Sequence, residues 1–357
     1  MSRLDWFITR RMALSILGVV LVFFAILLLS ESLNTARFSR ISSSSGELDA
    51  WLAIVTSASR WAIKTLSVTV LIGGVVGLLE FQNHRELMVI KATGLSIWRA
   101  MRGPVMFVFL FGLIVTFALE TASTSVNRDI NPTRPGLGGG VARSTTELWL
   151  AQTSPDGPYY LNAKSAFRRG QILRDVSLFP LWETDITRIN ATRADYQGKR
   201  WVMAEATITH QDGSVETEKN FRIRTRSTVA DLRLVLGSTE DFTFYELVSA
   251  LENGITEPVV RAAATTRFLK LLSLPVLLVG SLLIAFAFTA GYRRDNNYGL
   301  TIVYGIVLGF VVFVITEMAD RAGSSGVLDA NYATWGPAVV SILIGVSVLL
   351  HKEDGRA

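Results

Sequence analysis

A chain of 357 residues that is 50% hydrophobic, only 18% charged and +0.37 in mean hydropathy is too apolar for an ordinary soluble protein. It has no cysteine, which excludes disulfides, thiol catalysis and zinc–thiolate sites, and its three histidines (His84, His210, His351) have no metal-ligand spacing. A net charge of +5 would suit nucleic acid, but the basic residues form no stripe; they gather in loops beside apolar stretches, and nucleic acid is excluded as a partner.

Arg3, Arg10 and Arg11 precede the first apolar stretch, Ala13–Ser30. That run is longer than a signal-peptide core, and Glu31-Ser32-Leu33-Asn34 supplies no small-residue cleavage site, so an uncleaved helix is predicted. Ile63–Leu79 and Pro104–Leu119 follow, then, after a long polar insertion, Leu271–Ala290, Gly299–Ile315 and Trp335–Leu350. A helix needs about 20 residues to cross the hydrocarbon layer. The first and fourth stretches reach that length unaided, and the others do so once flanking interfacial residues are counted. Six transmembrane helices are expected. Arg85, Lys91, Arg99, Arg102, Arg293, Arg294, Lys352 and Arg356 fall on the same side as the N-terminus. The Lys/Arg bias therefore predicts both termini in the cytoplasm and the insertion outside.

Within this frame Gly73/Gly77 and Gly305/Gly309 form G-x-x-x-G pairs that would permit close helix packing. Arg37, Arg40 and Lys64 lie near the outer ends of the first two helices, where long basic stems can snorkel to headgroups. Glu31, Glu80, Glu120, Glu317 and Asp320 border the apolar spans, and plain solvation at helix ends is the simpler reading of them.

The insertion is close to neutral. After a Pro/Gly-rich linker over 131–140 it changes to short alternating segments. Leu148–Ala151, Tyr159–Asn162, Ile172–Phe179, Ile186–Tyr196, Trp201–Thr209 and 221–226 read as strands, with turn signals at Asp156-Gly157, Gln197-Gly198 and Asp212-Gly213. In Trp201–Thr209 the alternation places Val202, Ala204, Ala206 and Ile208 on one face. An all-β domain is expected, with sandwich, barrel and jelly roll all open. Asp241–Leu251 has helical spacing and leads back to the apolar stretches. The expected division is 1–127 (helices one to three), 128–262 (an inserted, jelly-roll-like β domain) and 263–357 (helices four to six).

The cytoplasmic segment Asn83-His84-Arg85-Glu86-Leu87-Met88-Val89-Ile90-Lys91-Ala92-Thr93-Gly94-Leu95-Ser96 resembles the coupling helix of the LptF/LptG permeases of the bacterial lipopolysaccharide transporter. The order of three helices, β domain and three helices is similar to that family along the whole chain. So are Ala191-Thr192-Arg193-Ala194-Asp195-Tyr196 with Trp201-Val202-Met203, and the return segment Glu240–Leu247. The short C-terminal tail and Gly309–Val314 look more like the LptG branch, while Leu328-Asp329 has an LptF character. Arg85 departs from the Ser or Thr usual in the family.

The resemblance implies an inner-membrane transport subunit with the β domain in the periplasm. Glu86, Leu87, Ile90, Gly94 and Leu95 would dock on an LptB-like ATPase dimer, although an acidic residue near a helix N-terminus also has a purely local role. Arg37, Arg40 and Lys64 would meet the phosphates of entering lipopolysaccharide. The implied partners are a paralogous LptF/LptG permease, an LptC-like single-span protein and a periplasmic LptA-like bridge. No P-loop is present; the nearest string, Gly198-Lys199-Arg200, lacks the hydroxyl. No catalytic constellation, metal set or cofactor motif is legible. The competing reading is a non-transporting membrane receptor or scaffold whose outer β domain binds a partner.

Overall fold

The structure, a computed structural model, describes residues 3–83, 97–130, 148–167, 171–182, 185–227, 232, 239–252, 255, 258–289 and 298–354. The chain divides into two compact units, Met1–Asn127 with Thr266–Ala357, and Arg128–Thr265. It is a polytopic helical membrane protein carrying an inserted β-sheet.

The helices are α1 (Arg3–Ser32), α2 (Thr35–Ser45), α3 (Glu47–Lys64), α4 (Leu66–Asn83), α5 (Ile97–Ile114) and α6 (Glu120–Ile130). After the sheet come α7 (Phe244–Glu252), α8 (Pro258–Thr289), α9 (Tyr298–Ser324) and α10 (Ala330–Asp354). Among the described residues Asp5–Ser32, Trp98–Asn127, Pro258–Thr289 and Ala330–His351 are long and apolar enough to cross a membrane. Glu47–Lys64 and Leu66–Gln82, bent by 69° at the break, make a fifth candidate. The expected stretch Gly299–Ile315 lies inside α9, several of whose side chains are outside the described residues.

The second expected span straddles the α3–α4 break. Thr65 sits at that break and its Oγ1 donates back to the Trp61 carbonyl at 3.1 Å. The helix axis turns by 69° there, and Thr65 caps the end of α3 with its backbone N–H also on the Trp61 carbonyl. In the helical unit α8 is central, with 78% of its apolar window buried, against 11% for α1. Met12, Ile16, Val70, Leu278 and Leu282 form its core. Close approach is achieved with glycine: a Cβ on Gly112 would lie 2.7 Å from the Pro275 Cα.

The second unit is a sheet of six strands: β1 (Leu148–Thr153), β2 (Pro158–Phe167), β3 (Ile172–Pro180), β4 (Ile186–Tyr196), β5 (Arg200–His210) and β6 (Val215–Arg224). Every neighbouring pair is antiparallel and the order is sequential. The described strands are thus an up-and-down meander, without the crossed connection of a jelly roll. The β4–β5 hairpin shows why sequential pairing is favoured. Gly198 (φ 53°) and Lys199 (φ 62°) are both left-handed, and Gln197 and Arg200 exchange backbone hydrogen bonds. That is the primed two-residue turn whose twist matches its strands.

The alternation does not run through. In β5 Trp201 and Met203 are buried, then Ala206 and Ile208, with Ala204 and Glu205 both exposed between them. The expected face of Val202, Ala204, Ala206 and Ile208 is therefore corrected in its first half. β3 skips in the same way at Arg174-Asp175 and β4 at Thr192-Arg193, and Asp175 has φ 50°. Because Arg174 pairs Arg193 and Val176 pairs Ala191, the skipped residues face each other and the register survives. A line of irregularity crosses the sheet and curls it. The far end of β6 then returns to β1, where Arg226 N–H donates to the Thr153 carbonyl at 2.9 Å.

The concave side holds Tyr159, Leu161, Leu173, Leu178, Ile189, Trp201 and Met203, all fully buried. A polar hub sits among them. Gln152 Oε1 accepts from Tyr159 Oη at 2.7 Å, Trp201 Nε1 at 2.8 Å and Thr225 Oγ1 at 3.1 Å. Burial pushes the Tyr159 phenol well above its ordinary pKa.

Candidate functional site

The polar groups of the helical unit converge where α8 begins to run between its neighbours. Glu120 follows a π-helical turn, Val115–Leu119, that offsets α6 from α5. Such turns insert a residue and change which face a side chain occupies. On the near side Thr116 Oγ1 donates to the Leu271 carbonyl at 3.1 Å. Four residues on, Glu120 meets Arg267, four residues back, as two antiparallel helices require. The Arg267 Nη2–Glu120 Oε1 distance is 2.6 Å, and Thr124 Oγ1 donates to the same oxygen at 3.2 Å. Glu120 is 2% exposed and the Arg267 side chain 13%.

One turn along α8, Lys270 Nζ lies 2.7 Å from Asp320 Oδ2 and 4.0 Å from Glu317 Oε2, both on α9. Arg321 Nε also reaches Glu317, at 3.4 Å. Lys64 ends α3, with its Nζ 5.2 Å from the Trp61 ring centroid. Lys64, Arg267, Lys270, Glu317 and Asp320 line one pocket, whose apolar wall includes Leu274, Leu277 and Phe313. The polar part of the lining is of mixed charge, with Arg267 held by Glu120 and Lys270 by Asp320 and Glu317, and it adjoins the apolar wall.

Plain solvation does not describe four of the five acidic residues at the span ends, Glu80, Glu120, Glu317 and Asp320. Glu80 is held by Arg11 and Ser15, Glu120 is buried against Arg267, and Glu317 and Asp320 bind Lys270. Only Glu120 is deeply buried, where an ionised group needs a partner; Glu80, Glu317 and Asp320 are partly exposed, and each of the four pairs with a base from another helix. Arg267 and Lys270 were not singled out by sequence. Their signal is a basic i,i+3 pair immediately before an uninterrupted apolar run, matched by Glu317 and Asp320 at the same spacing.

Of the expected lipid-phosphate residues, Lys64 stands in this pocket. Arg37 and Arg40 lie on α2, three residues apart, and their side chains fall outside the described residues. Glu86, Leu87, Ile90, Gly94 and Leu95 also lie outside the described residues, between the end of α4 and the start of α5. Among the described residues no group of three or more His, Cys, Asp or Glu could hold a metal ion.

Comparison with known proteins returns the family model described as lipopolysaccharide export system permease LptF/LptG, matched by residues 6–351. No curated protein sequence matches the chain.

Proposed function

Because this chain belongs to the LptF/LptG family of lipopolysaccharide export permeases, we propose that it is one of two paralogous permease chains that together extract lipopolysaccharide from the bacterial inner membrane. Both termini face the cytoplasm and the sheet unit faces the periplasm. An LptB-like ATPase dimer docks on the 83–96 segment, with Glu86 pairing a basic residue of the ATPase and Leu87, Ile90 and Leu95 seated in its groove. Gly94 allows the segment to approach closely. The ATPase supplies the energy, and closure of the permease pair lifts the lipid. The sheet unit passes acyl chains to an LptC-like protein and an LptA-like bridge by strand addition at its edge. No covalent step on the lipid is involved.

The observation that supports this reading most is the pocket at the α3–α4 break, where Lys64, Arg267 and Lys270 stand with Glu317 and Asp320 beside an apolar wall. There Lys64 meets lipid phosphate, and Arg37 and Arg40 of α2 are further phosphate contacts along the lipid's path. Lys270 shares its charge between Asp320 and an arriving phosphate.

The test is co-purification of the native chain and Glu86→Ala from membranes, followed by ATPase assay and lipid release. Native chain should bring down an ATPase, and Glu86→Ala should weaken that association or its coupling to release. In the same preparation Lys64→Ala with Lys270→Ala should reduce photo-crosslinking to lipopolysaccharide while the ATPase stays bound. A native chain that copurifies with no nucleotide-hydrolysing partner overturns the reading.

A further inference from the structure

The end of α4 that runs into the 84–96 segment is gripped by α1. Arg11 Nη2 donates to Glu80 Oε1 at 3.1 Å and Ser15 Oγ donates to Glu80 Oε2 at 3.2 Å. The Arg11 guanidinium also stands 5.2 Å from the centroid of the Phe81 ring, and Phe7 meets that ring edge-on at 6.5 Å. Phe81 is buried. Below this clamp the two helices touch almost backbone to backbone. A Cβ on Gly73 would lie 2.7 Å from the Ile16 Cα, and one on Gly77 would lie 2.9 Å from Met12 Sδ and 3.2 Å from Ser15 Cβ.

Such a seam resists sliding, because any shift along it drives a side chain into backbone. The clamp resists twisting about it. α1 is nevertheless the helix whose apolar window is least buried among the four single-helix spans. We propose that α1 and α4 move through the transport cycle as one rigid lever, locked by the Gly73–Gly77 seam and the Arg11–Glu80 clamp. Movement delivered at the 84–96 segment then reaches the exposed face of α1, at the side wall of the bundle. Arg11 and Glu80 are positioning residues in this scheme; they touch neither lipid nor nucleotide. The inference rests on the reading that the 84–96 segment receives the ATPase.

The chain has no cysteine, so Ser15→Cys with Gly77→Cys introduces a single pair. Their Cβ separation of 3.2 Å is shorter than the roughly 3.8 Å of an ordinary disulfide, so the bond forms once the seam yields by about half an ångström. In the lipid-reconstituted complex the reduced pair has lost the Ser15 donor and a seam glycine, and the oxidised pair should release at least as much lipopolysaccharide per ATP as the reduced one. Glu80→Gln should lower lipid released per ATP by about two- to five-fold, the range of a partly exposed ion pair, with hydrolysis and ATPase retention unchanged. Oxidation of the cysteine pair in the Glu80→Gln background should restore release, and hydrolysis and ATPase retention that stay unchanged throughout separate this from a merely structural defect. Loss of release on oxidation with hydrolysis intact, reversed by reductant, overturns the lever. So does a normal yield from Glu80→Gln, and failure of the pair to oxidise overturns the seam. Failure of the functional reading registers separately, as a native complex without ATPase, and overturns both.

Discussion

The two units of this protein handle buried polarity in opposite ways. The helical unit buries charge: Glu120 is 2% exposed and is matched by Arg267 from a helix 147 residues away. The sheet unit buries a neutral hub, Gln152 with its three donors, and leaves an ion pair such as Arg193–Asp195 half in water at 54% and 31% exposure. A neutral hub costs little once every donor is satisfied. A buried ion pair is a weak source of net stability, because desolvation consumes most of its attraction, yet it is expensive to break. The sheet core is accordingly organised for permanence. The helical pairs lie beside one pocket, whose lining brings Arg267 and Lys270 together with Glu317 and Asp320.

The sharpest way to break that comparison is to remove one charge. Arg267→Met should destabilise the helical unit by about 3–5 kcal/mol, because Glu120 is stranded, and Glu120→Gln on the same chain should recover much of the loss. Thermal unfolding of the full chain in detergent measures both. An Arg267→Met cost below that of a surface substitution would remove the contrast.

Gln152→Leu comes next, at about 1–3 kcal/mol, since it strands donors that have lost water. Tryptophan fluorescence of the full chain would report it through Trp201. A larger loss here than from Arg267→Met would reverse the ranking of the units.

A pH titration sharpens the point within the sheet unit. The folded Tyr159 phenol titrates above its unfolded value because burial disfavours phenolate. Its contribution is fully present below the unfolded pKa of about 10 and is lost as pH rises beyond it. The sheet should therefore lose stability in alkali, and Tyr159→Phe should flatten that dependence.

The smallest effect belongs to the β5–β6 turn. The side-chain and backbone donors of Ser214 hold the Asp212 carboxyl below its ordinary range. This contribution is present above the unfolded pKa and fades as pH falls through the folded one. Asp212→Asn should reduce the acid sensitivity of the hairpin only slightly, by hydrogen exchange at Val215–Arg224.

Sequence by itself determined most of the elements, though not α2 or the division of α3 from α4. Apolar runs of spanning length can be satisfied only as helices in lipid, and short alternating runs between Gly-containing turns only as antiparallel strands. Ile186–Tyr196, for example, was legible to the residue because Gln197-Gly198 closes it. The segment around Glu86 was legible as a resemblance of type and spacing. What only the tertiary structure decided was pairing. Nothing local tells Glu120 that Arg267 will face it, because that depends on a π turn before it and on two antiparallel helices in register. The α3–α4 break hides inside a continuous apolar run, and the line of skipped residues through Asp175 and Arg193 shifts inward faces that alternation alone would have kept in phase. Periodicity reports one element's own geometry. Ion pairs, bends and curled sheets are set by the neighbours it packs against, and those are chosen by packing across long sequence separations.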